Sequence, residues 1–180
     1  MNYHNITYPD MNNGDGLRAV LWLSGCSHHC YNCQNPQTWD YNSGIFFDEF
    51  AKKELFAELE KNYISGLTLS GGDPLYEKNL NEVLDLIIEI KNLYQKNIWI
   101  YSGYTWNQIM FPIVTGELNF QRDEIINKRK KIVSLCDVLV DGKYIESQRD
   151  TSLKWRGSKN QRVIDVKKTL QQGKIVLHCD

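Results

Sequence analysis

No apolar run in this chain is long enough to cross a bilayer. A membrane-spanning helix needs about 20 apolar residues, and segments such as "IVSL" and "GLTL" fall far short of that. The opening "MNYHNITYPDMNNGDG" is polar and lacks the basic-then-apolar pattern of a signal peptide. Net charge is almost absent, at −1, so nothing global marks nucleic acid or an anionic membrane as a partner. Internal repeats, linkers and low-complexity tracts are missing, and 42% hydrophobic with 24% charged residues excludes disorder and fibre. These absences lead to the expectation of a cytoplasmic globular protein. Its 180 residues suit one domain over 1–180, with a real core.

Cysteine is scarce as well, with five in all. In the cytoplasm that argues against a disulfide framework, because the compartment keeps thiols reduced. Placement matters more than number. Cys26, Cys30 and Cys33 crowd into "LSGCSHHCYNCQNPQTW" with His28 and His29 between them, while Cys136 and Cys179 lie far off. Three thiols in one loop suit a metal, and three readings are open. A zinc site would need a fourth ligand, for which His28 or His29 could bend in. An electron-transfer cluster would need a fourth thiolate, from Cys136 or Cys179. A catalytic [4Fe–4S] cluster would leave its fourth iron free for a substrate.

The rest of the chain alternates between two periods. "RAVLWL", "GLTLS", "NIWIYS" and "DVLVDG" read as strands. Between them, helical spacing runs from Asp48 to Asn62, with Asp48 as N-cap, from Leu80 to Tyr94, and from Arg122 to Leu135. "YIESQRDTSLKWRGSKNQR" reads as an irregular surface segment, followed by "VIDVKKTL" and a strand-like "KIVLH". Strands alternating with helices predict an α/β fold with parallel strands and crossovers. Every unusual loop, namely the cysteine loop, "GGDP", "SGY" and "DGKY", follows a strand. In such folds that is where working residues collect.

The Cys26, Cys30, Cys33 spacing resembles that of the radical S-adenosylmethionine (SAM) enzymes. "NGDGLRAVLWLSGC", "QNPQTW", "LSGGDPL", "IWIYSGY", "VLVDGKY" and "SLKWRGSKNQR" together are similar to the family that activates anaerobic ribonucleoside-triphosphate reductase. The likeness runs in order from about Asn13 to Arg162. It departs at Asn32, where related activators often carry an aromatic, and at Asp15, where Gly-Pro-Gly is common. The implied fold is an incomplete parallel (β/α) barrel of the radical SAM type, open on one side. The implied activity is reductive cleavage of SAM and generation of a glycyl radical on the reductase. An activase of another glycyl-radical enzyme, of the pyruvate formate-lyase type, and a non-catalytic iron–sulfur or zinc protein stand as alternatives.

The resemblance also assigns residues. Cys26, Cys30 and Cys33 would hold the [4Fe–4S] cluster, with one iron not ligated by protein, and Asn32 would lie on the cofactor side of the loop. Carbonyls around Ser70, Gly71 and Gly72 would accept from the SAM ammonium, with the charge of Asp73 nearby. Ser102 would donate a hydrogen bond to SAM. Lys143 would meet the SAM carboxylate, and Asp141 would orient it or help hold a monovalent cation. A reduced flavodoxin or ferredoxin-type protein would supply the electron. On this reading His28 and His29 are spare polar loop residues, Cys136 is core packing and Cys179 is inert or frayed. Trp155 and Arg156 would contact SAM or the reductase, or else lid the open sheet and pair internally. The "NKRKK" run, Asn127 to Lys131, reads as a solvated helix face and not as a nucleic-acid site.

Overall fold

The structure, a computed structural model, describes residues 1–113 and 119–179. Four strands form the centre of one sheet: β2 (Leu17–Leu23), β4 (Ile64–Gly71), β5 (Asn97–Ser102) and β6 (Val138–Asp141). They lie side by side and parallel. Helix α1 (Glu49–Glu60) precedes β4, and α2 (Leu80–Tyr94) links β4 to β5. The short α3 (Trp106–Met110) and α4 (Phe120–Leu135) lie between β5 and β6. Parallel neighbours require crossovers of this kind, since a tight turn cannot return the chain to the starting end of the sheet.

The edges follow a different rule. On one side β1 (Asn2–Asp10) pairs antiparallel with β2, and β3 (Ile45–Phe46) pairs antiparallel with β1. On the other, β7 (Arg162–Asp165) joins β6 antiparallel, and β8 (Leu177–Cys179) joins β7 antiparallel across the helix α5 (Val166–Gln172). The result is a mixed eight-stranded sheet in the order β3-β1-β2-β4-β5-β6-β7-β8. This corrects the expected incomplete parallel (β/α) barrel. The alternation behind that expectation holds only for the central strands. Residues 11–16 are too few for a crossover, so β1 must return beside β2 in the opposite sense.

Alternation along the strands sorts the two faces. Ile98 and Ile100 of β5, Leu139 of β6 and Ile164 of β7 enter one large core together with residues of every helix, among them Leu55, Ile87, Ile109, Val133 and Val166. Trp99, Val138, Val140 and Val163 point the other way and form a small second cluster, on which Tyr101, Trp155 and Cys179 pack. Among the described residues, helices therefore cover one face only. The other is closed in part by the irregular segment after β6 and by β8. Among the described residues, no helix is long and apolar enough to cross a membrane.

Local signals match well in the interior. The expected helix from Leu80 to Tyr94 is α2, and Asp48 caps α1 by accepting from the amides of Phe50 and Ala51, each at 3.0 Å. The polar opening segment carries no strand pattern, yet β1 spans it; only Tyr3 and Ile6 of that strand are buried. Cys136 is buried and donates to the Ile132 carbonyl, in agreement with core packing. Cys179 sits within β8 and packs on the second cluster, so it is not frayed.

Candidate active site

The site begins where β2 and β4 stop together, with Leu23 level with Gly71. Beyond that level the two chains remain joined. The Gly72 amide donates to the Leu23 carbonyl and the Asp73 amide to the Gly25 carbonyl, both at 2.8 Å. Gly25 and Cys26 donate in turn to the carbonyls of Thr38 and Trp39. Gly72 has no room for a side chain here: a Cβ would lie 2.5 Å from the Gly25 carbonyl oxygen. The glycine pair is thus required by the close approach of two backbones, and it brings the "GGDP" turn against the cysteine loop.

Cys26, Cys30 and Cys33 are half-buried, free of disulfides, and all open onto one cavity of about 380 Å³. Ser70, Gly71, Gly72, Asp73, Ser102 and Lys143 line the same cavity. Burial pushes the Cys26 thiol up to about 11, although the amides of His28 and His29 work in the opposite direction. Cys30 is also raised by burial, against the Tyr144 amide and the charge of Lys143. Burial thus disfavours the bare thiolate at Cys26 and Cys30, and a bound cation would supply compensating charge and release protons as it enters. Among the described residues, no three His, Cys, Asp or Glu side chains converge on one point in the way a single ion requires. Three thiols spread around a roomy cavity, with amides directed at the sulfurs, fit a larger iron–sulfur cluster.

The other predicted residues divide. Asp73 is buried, and both of its oxygens are engaged: Oδ1 accepts from the Leu75 amide, while Oδ2 accepts from His28 Nε2, Ser102 Oγ and the Gly103 amide. Ser102 gives its one hydroxyl proton to Asp73 and accepts from the Tyr104 amide, so it has no proton left for a ligand. Asp141 lies behind the cavity wall, fully buried. It accepts from Arg162 Nε at 3.0 Å, from a second Arg162 nitrogen and from the Trp106 amide at 2.7 Å. Its oxygens are satisfied by a guanidinium, and the arrangement does not fit a monovalent cation. Lys143 is exposed at the mouth, and Asn32 is exposed with a left-handed φ of 54°.

A family model described as a 4Fe-4S single cluster domain matches residues 12–164. Relatives named anaerobic ribonucleoside-triphosphate reductase-activating protein match nearly the whole chain. The Haemophilus influenzae protein is 36% identical over 164 residues, covering 89% of this chain and 96% of its own length. The protein of Enterobacteria phage T4 is 39% identical, covering 91% and 93%. That of Escherichia coli K12 is 37% identical over 166 residues, covering 91% and 97%. The chain belongs to the anaerobic ribonucleoside-triphosphate reductase-activating protein family.

Several residues of this family member carry more than their sequence neighbours suggest. His28 is not a spare polar residue. Its side chain is 7% exposed, its Nε2 lies 2.6 Å from Asp73 Oδ2, and its ring meets Tyr104 edge-on at 4.6 Å. Arg129 leaves the expected solvated "NKRKK" face: its guanidinium lies 4.2 Å from the Tyr104 ring centre and donates to the Leu75 carbonyl and the Tyr104 hydroxyl. Trp22, Trp39 and Tyr101 line the cavity, although no local pattern marks them. Trp155 lids the sheet face, packing edge-on against Trp99 while its Nε1 donates to Asp15. Arg156 lines the cavity with a buried Nε that lacks a hydrogen-bond partner, and the Trp39 Nε1 is in the same state. The one usable signal is composition, since aromatic and arginine residues cluster in the strings on which the resemblance rests.

Proposed function

We propose that this protein is a radical SAM activase that reductively cleaves SAM and installs a glycyl radical on anaerobic ribonucleoside-triphosphate reductase. The observation that carries the reading is the shared cavity: three thiols of one loop and the glycine turn after β4 face one space. Cys26, Cys30 and Cys33 would hold a [4Fe–4S] cluster. When bound, the cluster and SAM together supply an electron and a cleavable sulfur–C5′ bond, and hence a 5′-deoxyadenosyl radical able to take a hydrogen atom from glycine.

The chain's own residues bind and shield. Carbonyls of Ser70, Gly71 and Gly72 accept from the SAM ammonium, while the amides of Gly72 and Asp73 hold the turn against β2 and its loop. Lys143 at the mouth pairs with the SAM carboxylate, and Arg156, with its unpartnered Nε, supports it or meets the incoming glycine loop. Trp22, Trp39, Tyr101 and Trp155 present apolar walls that keep water from a reactive radical. Asp73 and Ser102 shape the wall without direct donation to SAM. The electron would come from a reduced flavodoxin or ferredoxin-type protein.

The test is anaerobic. The full chain is loaded with iron and sulfide, reduced and mixed with SAM, and 5′-deoxyadenosine is measured against a Cys30→Ala control, with and without the reductase. Product from the wild type alone is expected. A fully loaded, reducible protein that yields none, even with the reductase present, would overturn the reading.

A further inference from the structure

The cysteine loop is tied down unevenly. Its first residues are zipped to neighbouring backbone at Gly25 and Cys26, and its far end closes on itself through the Thr38 and Trp39 amides. Between these anchors, among the described residues, no backbone-to-backbone hydrogen bond joins residues 27–32 to another element. Cys30 lies within that gap, and Cys26 and Cys33 flank it. Side chains hold it instead. His29 stacks on Trp39 at 4.7 Å on the exposed side. His28 turns inward, and its contacts lie on the ends of two further strands: Asp73 after β4, and Gly103 and Tyr104 after β5.

The fit around the His28 ring is close. A Cβ on Gly103 would lie 2.2 Å from the ring, so the imidazole occupies the space a side chain would take. The carboxylate it meets is held by three other donors, Ser102 Oγ, the Gly103 amide and the Leu75 amide. His28 therefore joins the middle of the thiol loop to the turn whose carbonyls face the same cavity. Resting on the radical SAM reading, we infer that His28 is a positioning residue: its bond to Asp73 keeps the cysteine loop at a set distance from the ammonium-accepting turn. It lines the same cavity as the thiols, and its role is to hold the loop, not to ligate iron.

The inference makes a separable claim about the chain alone. In the metal-free protein, His28→Ala should free the loop, so that Cys26 and Cys30 react with iodoacetamide several-fold faster. His28→Gln, which keeps an amide donor, should stay near wild type. In the loaded protein, His28→Ala should keep its iron but bind SAM about tenfold more weakly. It should also show a smaller change in the electron paramagnetic resonance spectrum of the reduced cluster when SAM is added, and His28→Gln should recover both. Iron lost in His28→Ala but retained in His28→Gln would support positioning as well, since an amide does not replace an imidazole ligand. Iron lost in both would make His28 a ligand or a general structural prop and overturn the inference. So would unchanged alkylation rates and unchanged SAM affinity in His28→Ala. If His28→Ala does not fold, His28→Asn, too short to span the bond, takes its place: faster alkylation and weaker SAM binding support positioning, and no change in either overturns it. A fully loaded wild type that binds no SAM would sink the radical SAM reading, and the alkylation experiment would still decide the role of His28.

Discussion

Asp141 and Asp73 are both carboxylates removed from water, and they are compensated differently. Asp141 has a full opposite charge, the two-pronged Arg162 pair, with the Trp106 amide added. Asp73 has four donors distributed over both oxygens, one of them an imidazole. The consequences of substitution differ accordingly. Arg162→Gln leaves a buried charge without its partner and should cost about 3 kcal/mol, at the low end for such breaks because the guanidinium is partly exposed. Arg162→Lys should recover only part of this, since an ammonium cannot bridge both oxygens. The midpoint of urea unfolding measures it, and a loss under about 0.5 kcal/mol in Arg162→Gln would mean that water reaches Asp141. Gly72 is the opposite case, a residue whose lack of a side chain is its role. Gly72→Ala pushes a methyl group at a backbone carbonyl that cannot swing away, and should cost about 1–3 kcal/mol in the same experiment.

Elements are joined by similar means. Asp137, between α4 and β6, accepts from Lys91 of α2, Lys167 of α5 and the Ile98 amide of β5. Burial alone would raise its pKa; the two lysines and the amide outweigh that and hold it below the ordinary carboxylate range. A carboxyl lowered on folding adds stability that is complete above its unfolded pKa and is lost as pH falls through the folded one. Asp137→Asn should therefore flatten the acid limb of the stability–pH curve while leaving its neutral-to-alkaline shape intact. An acid limb identical to the wild type's would refute this. At α1 the Asp48 cap serves two amides, and Asp48→Ala should cost about 1 kcal/mol, read from the same unfolding midpoint. Both Asp48 and α2 are legible in the sequence because a cap and a helical period are written in consecutive residues. The strand β1 is not legible there, since its outer edge is open over most of its length and its composition is that of a surface.

At the scale of the whole molecule, the sheet has a helical face and an open one, and Arg18 is buried on the open face beside Trp99. It is 1% exposed, and burial lowers its pKa to about 10. It donates to Thr68 Oγ1 and the carbonyls of Leu67, Asn97 and Asp15, and lies 5.3 Å from the Trp99 ring centre. The turn before β2 is thus bound to β4 and β5 by one cation. Arg18→Met keeps the stem and removes the head, leaving those acceptors without partners. It should cost about 2–4 kcal/mol, with little rescue by Arg18→Lys. Urea unfolding of both variants checks it, and a Lys variant equal to wild type would show that charge alone suffices.

The sequence by itself determined what depends on neighbours along the chain. These features are the three-thiol loop, the glycine turn, the bounds of α2, the cap of α1 and the central strands. They also include the ordered strings that mark the family. Only the tertiary structure decided which carboxylates face the cavity and which are consumed behind it. His28 and Asp73 are 45 positions apart, Arg18 and Thr68 are 50, and Arg129 and Leu75 are 54. No period or cap links residues at such separations. The antiparallel edges of the sheet belong to the same class. Pairing sense is set by how connections of different length pack around one core, and that packing exists only once the chain is folded.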